Sequence, residues 1–158
     1  MKLSNGVEWA VHCCVSLSQA SEPVPAARLA ELHDVPAAYL AKHLQALSRA
    51  GVVHSTAGQV GGYALTRPAQ TIALLEVVQA IDGEEPAFRC TEIRQRGPLA
   101  APPKRCKDAC AIARAMTAAE HAWRQALASI SIADLATNID TDSANTAMAD
   151  LRDWLATR

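Results

Sequence analysis

From residue 5 the chain repeats apolar residues every three to four positions. Val7, Val11, Cys14, Val15 and Leu17 form one stripe, which predicts a helix over 5–20 with Ser4 or Asn5 as its cap. Glu8 and His12 stand four apart and therefore share a face of it. Prolines at 23 and 25 punctuate the entry to a short second helix at about 26–33. A third helix begins near Pro36, carries Leu40, Leu44 and Leu47 on one face, and stops at Gly51. Over 52–66 the period changes: strand-forming residues flank the glycine-bearing turn AGQVGG, which reads as a β-hairpin. Helical spacing returns over 70–82 and ends at Gly83. Gly97-Pro98 and Pro102-Pro103 break the stretch 84–106. A long helix is expected over 107–130, with Ile112, Met116, Ala119, Trp123 and Leu127 as an extended apolar stripe. SIADL then reads as a turn or short helix, and 143–156 as a C-terminal helix.

The expected fold class is mainly α with a small β-hairpin: a winged helix-turn-helix followed by a long dimerisation helix. In such a unit the third helix enters the major groove of double-stranded DNA and the hairpin lies along the backbone or minor groove. A two-fold operator calls for a homodimer, and the long apolar stripe is a natural seam for it. The expected division is a DNA-binding domain over 1–83, a loop over 84–106, a dimerisation helix over 107–136 and a C-terminal segment over 137–158.

Composition narrows the picture. Half of the 158 residues are hydrophobic and only 4% aromatic, which suits a single helical domain. No apolar run is long enough to span a bilayer and no signal peptide opens the sequence, so a cytoplasmic, reducing compartment is expected. The net charge of −1 does not advertise a nucleic-acid binder, so any DNA-reading face is local. No nucleophile–base pair or phosphate loop is evident, and the chain is not expected to be an enzyme or to take a small-molecule substrate.

Charge and cysteines concentrate together. Between Arg89 and Arg114 lie seven Lys or Arg residues against Glu92 and Asp108. Cys90, Cys106 and Cys110 fall in this basic stretch, where positive charge favours the metal-binding thiolate. Clustered thiols in a reducing compartment point to metal or redox chemistry, against unrelated cysteines of which one or two are merely buried.

The words AAYLAKHLQALSRAGVVHSTAGQVGGYALTRP, IALLEVVQAIDG and SIADL, with the start of the cysteine loop, resemble the Rrf2 family of bacterial transcription regulators over about residues 1–136. Within it, the chain is most similar to the actinobacterial redox-sensitive response regulator type, whose 2Fe–2S cluster has mixed Cys, Glu and His ligation. The family's usual cluster motif is three closely spaced cysteines. Here Cys90 and Cys110 match its first and last members, whereas Cys106 lies only four residues before Cys110, and Ala113 stands where some members have a histidine.

The resemblance implies one 2Fe–2S cluster per subunit, with Cys90 and Cys110 on one iron and Glu8 and His12 of the other subunit on the second. Imidazole can replace thiolate on one iron of such a cluster. His33 is a competing ligand, and Cys13 and Cys14 read as core. Trp9, between Glu8 and His12, is the expected lever that couples redox state to the DNA-reading helices. The DNA contacts expected are Tyr39, Lys42 and His43 on the third helix and Ser55, Gln59 and Tyr63 on the hairpin. Ala57 replaces an arginine that the family often sends into the minor groove. The alternative is a cluster-free or zinc-bound regulator in which Cys106 and Cys110 form a thiol switch.

Overall fold

The computed structural model describes residues 3–58 and 61–157. The chain forms two compact units: Glu85–Ala126, and the remainder of the described residues.

The larger unit begins with helix α1 (Asn5–Gln19), followed by α2 (Ala26–Leu32) and α3 (Ala37–Arg49). Leu29 on α2 and Leu40, Leu44 and Leu47 on α3 are completely buried, together with Ala10, Cys13 and Cys14 on α1. These stripes meet because residues three or four apart share a helix face, and they form the core against which the remaining elements pack. Gly51, at φ +72°, ends the turn after α3, a left-handed conformation that costs glycine little.

Strands β1 (Val53–Thr56) and β2 (Gly62–Leu65) pair antiparallel, with Val53 opposite Leu65 and Ser55 opposite Tyr63. The hairpin is fixed to the α1–α2 connection: Val24 N donates to Tyr63 O at 2.9 Å, and Tyr63 N donates back to Val24 O at 2.8 Å. A side chain at Gly62 would place its Cβ 2.4 Å from the Val24 carbonyl carbon, so only glycine permits this approach. Helix α4 (Leu74–Asp82) follows, and Glu76 caps its start by accepting from Ala73 N at 2.9 Å. Ser4 sits at the cap position of α1, but its hydroxyl turns to Asp82 at the far end of α4, 2.5 Å away, and its N–H also donates to Asp82.

The C-terminal part completes this unit. Where a turn or short helix was expected, SIADL opens an eleven-residue helix, α6 (Ile132–Asp142). Ser131 and Asp134 form a reciprocal cap at its start, and Ile132 is fully buried. Helix α7 (Ala147–Ala156) packs through Met148 onto the same core.

The smaller unit holds two single-turn helices, Ile93–Gln95 and Pro103–Arg105, and most of α5 (Ala111–Ala128). The helix expected from residue 107 therefore starts four residues later, so Cys110 immediately precedes it. Along α5, Ile112 and Met116 are 66% and 42% exposed. Among the described residues, no helix is long and apolar enough to cross a membrane.

Candidate functional site

In the smaller unit the loop is organised around Arg94. Its guanidinium grips both oxygens of Glu92, at 2.5 and 2.8 Å, and also donates to Asp108 O at 2.8 Å. Its own carbonyl accepts from Ala101 N at 2.7 Å. A bidentate pair with two further backbone bonds is a rigid cross-brace rather than a solvated ion pair. Glu92, at φ +54°, supplies the bend that folds its carboxylate back.

The thiols gather beside this brace. Arg94 lies within electrostatic reach of both Cys106 and Cys110. Cys110 Sγ accepts from Ala113 N at 3.3 Å, so the sulfur occupies the position of an N-terminal cap on α5. Cys90 lies within interaction range of the same sulfur. The Cys110 thiol is held below the ordinary thiol value. The Ala113 N–H bond is the largest cause; the Ile112 N–H, the Arg94 charge and the Cys90 thiol add to it against a desolvation that opposes them. Cys90 and Cys110 are thus brought together, with Cys106 beside the same guanidinium. The sequence reading did not single out Arg94; its place in a run of cations was the only signal available.

In the larger unit Glu8 and His12 are both exposed on α1. The His12 ring stands 5.7 Å from that of His33, and His33 Nε2 lies 3.2 Å from Ser16 Oγ, the one polar side chain buried among the described residues. Burial lowers the His33 pKa, and the nearby His12 lowers it further. His33 follows α2 directly, at the turn into α3. Cys13 and Cys14 are fully buried; burial pushes the Cys13 thiol up to about 12 and Cys14 up as well, so both are inert core residues. Among the described residues, no three His, Cys, Asp or Glu side chains of one chain enclose a metal ion.

The expected DNA contacts fall in three places. Tyr39 is 58% exposed, and Lys42 Nζ sits 5.3 Å from its ring centre. Gln45 and Arg49, which the sequence reading passed over, continue this exposed stripe of α3 at helical spacing. His43 instead turns toward α1. Its ring packs edge-on against Trp9, centres 5.7 Å apart, over the space left by Gly6. On the hairpin Ser55 is exposed, whereas Tyr63 is half-buried against the core. Gln59 lies outside the described residues.

The profile of the Rrf2 family, described as an iron-dependent transcriptional regulator, matches residues 3–138. The HTH-type transcriptional regulator IscR of Escherichia coli strain K12 is 35% identical over 92 residues, which are 57% of this chain and 57% of that regulator. Among solved structures, IscR from T. potens superposes with a TM-score of 0.68 at 21% identity, covering 90% of each chain. CymR, the global cysteine regulator of B. subtilis, does so with a TM-score of 0.65 at 20% identity, covering 87% of this chain and 98% of that one. The oxidized form of Staphylococcus aureus CymR gives 0.62 at 22%, over 86% and 96%. At these identities the superpositions establish the winged-helix fold.

Proposed function

The chain belongs to the Rrf2 family of transcriptional regulators, which are not enzymes, and from that premise we propose that it is a cytoplasmic, homodimeric DNA-binding regulator whose affinity follows the redox state of a 2Fe–2S cluster. The observation that carries the reading is Cys110 Sγ, held as the cap of α5 beside the braced Arg94, with Cys90 within range of it.

The donor set fits such a group. Two adjacent thiols, one already favoured as thiolate by backbone N–H bonds, are what one iron needs. Glu8 and His12 stand exposed one turn apart on α1, as a carboxylate and imidazole for the second iron must. We assign them to the cluster of the partner subunit, which gives one cluster per subunit with ligands from both. This is the mixed ligation of the redox-sensitive response regulator type. When bound, a 2Fe–2S cluster supplies a one-electron change of charge at this place. The chain's own residues do the rest. Glu8 and His12 flank Trp9, so a shift of either moves the backbone carrying the indole. Trp9 in turn touches His43 on α3, the helix assigned to the major groove.

For DNA we assign base or phosphate contacts to Tyr39 and Lys42, with Ser55 and Gln59 on the hairpin. His43 and Tyr63 support these elements from behind. Residues 1–83 then read DNA and lend Glu8 and His12 to the cluster, the loop 84–106 supplies Cys90, and 107–136 supply Cys110 and form the dimer seam, for which the exposed Ile112 and Met116 supply apolar surface.

A thiol switch or zinc site using Cys106 and Cys110 is favoured by one observation: both sulfurs share the field of Arg94. Anaerobic absorption separates the two readings. Visible bands that bleach on reduction support the cluster; a colourless protein that retains zinc or reactive thiols supports the switch.

A further inference from the structure

A cavity of about 750 Å³ lies within the larger unit, between the α1–α2 connection, the turn end of the hairpin and α7. Its size is that of a small-molecule site. The wall formed by α7, residues 147–156, lies beyond residues 3–138, which the family profile matches.

That wall is held firmly. Arg28 on α2 lies 3.6 Å over the Trp154 ring and donates to Trp154 O at 3.0 Å and Thr157 O at 2.9 Å. It thereby caps the negative end of α7. Its charge is balanced by Glu31 at 3.0 Å. Arg28 is a structural pin rather than a free cation.

The other polar groups are not spent in this way. Glu22 and Asp153 line the cavity, and neither has an ion-pair partner among the described residues. Arg152 lines it too, with a bond of 2.6 Å to Gln19 Oε1 that uses one of its five donors. Between them, Ala20, Pro23, Leu155 and Ala156 supply an apolar surface, with the buried Val24 beneath it. One guanidinium and two carboxylates around an apolar floor complement a molecule that carries both signs of charge on an apolar body.

We propose that this cavity binds a small zwitterion with apolar side chains, of the size of a dipeptide, and that its occupancy is felt at the hairpin. The ligand carboxylate pairs with Arg152, its ammonium with Glu22 and Asp153, and its side chains cover Pro23, Leu155 and Ala156. Val24 is also the residue bonded in both directions to Tyr63 of β2, with Gly62 pressed against it, and Gly61 lines the cavity. A ligand seated against Gly61 and the Val24 backbone thus bears on the turn end of the DNA-reading hairpin. This site is independent of the cluster reading.

The test uses the full chain with labelled methyl groups and backbone amides, titrated with leucyl-leucine and followed by nuclear magnetic resonance. Saturable shifts of the Val24 and Leu155 methyls and the Gly61 and Gly62 amides are expected. Arg152→Ala, an exposed change, should weaken binding about tenfold, the usual size of a lost charge-assisted hydrogen bond. Ala156→Trp, which fills the cavity, should abolish it. Absence of saturable shifts overturns the proposal, as does unchanged affinity in Arg152→Ala. Equal binding by the uncharged N-acetyl-leucyl-leucine amide overturns the assignment to a zwitterion.

Discussion

Trp9 on α1 and His43 on α3 pack edge to face, with ring centres 5.7 Å apart and planes inclined at 72°. Gly6, one turn before Trp9, makes the contact possible: a Cβ there would fall 2.3 Å from His43 Cε1. The two rings join the helix that carries Glu8 and His12 to the helix assigned to the major groove. Edge-on aromatic pairs are worth about 1 kcal/mol beyond their buried area, enough to bias a balance between two helix positions.

Trp9→Ala should therefore leave the cluster bound, cost about 2 kcal/mol of stability, and remove the difference in DNA affinity between oxidised and reduced protein. Gly6→Ala tests the contact without removing either ring. The added methyl forces the His43 ring aside, so the indole fluorescence and the His43 resonances should change while stability falls by about 1 kcal/mol. If either variant keeps the wild-type ratio of affinities, the signal leaves α1 by another route.

His33 makes stability depend on pH in a defined direction. Its pKa is lowered, so the folded chain favours neutral imidazole and the unfolded chain binds more protons near the ordinary histidine value of 6.5. The stability it contributes is full above 6.5 and is lost as pH falls from there through the lowered folded value. In metal-free protein, Tm should decline over this range, and His33→Gln should flatten the decline. An equal slope in both proteins would place the titrating group elsewhere.

Lys42→Ala should weaken DNA binding without touching the metal site. A phosphate contact would weaken all sequences alike and reduce the salt slope by about one unit, whereas a guanine contact would relax preference at one position. Gel shifts at several salt concentrations against matched and scrambled sequences distinguish them. Unchanged affinity would mean that the exposed face of α3 does not meet the groove.

The interior of the larger unit was legible because it obeys local rules. The spacing of Leu40, Leu44 and Leu47 gave their burial, Gly51 gave the end of α3, and the glycine-bearing turn gave the hairpin. What escaped the sequence depends on distant partners. Ser4 reads as a cap but bonds Asp82, 78 residues away. α5 starts at Ala111, later than Lys107 and Asp108 suggest, because its cap is a sulfur that ordinary capping preferences do not anticipate. His43 and Tyr63 look like surface residues by composition; one lies over a helical glycine and the other bridges to Val24. Gly6 inside a helical run was the available signal, since such a glycine marks a close approach. The grouping of Cys90, Cys106 and Cys110 followed from spacing and charge, but not the brace of Arg94 and Glu92.

The cysteines divide into roles. Cys90→Ala and Cys110→Ala should each yield protein without iron or sulfide that still dimerises. Cys106→Ser should keep both, since two thiols, a carboxylate and an imidazole already complete the set. Iron and acid-labile sulfide analysis with size-exclusion chromatography checks all three. Cluster loss in Cys106→Ser with the fold intact would replace Glu8 or His12 by a third cysteine.

Anaerobic absorption and electron paramagnetic resonance, on protein as isolated and after reduction, test the central claim most directly. Iron and sulfide in equal amounts, visible bands that bleach on reduction, and a paramagnetic signal that appears only in the reduced protein are predicted. Glu8→Ala and His12→Ala should each lose or alter that signal. A colourless protein that holds zinc or no metal after anaerobic purification would contradict the account.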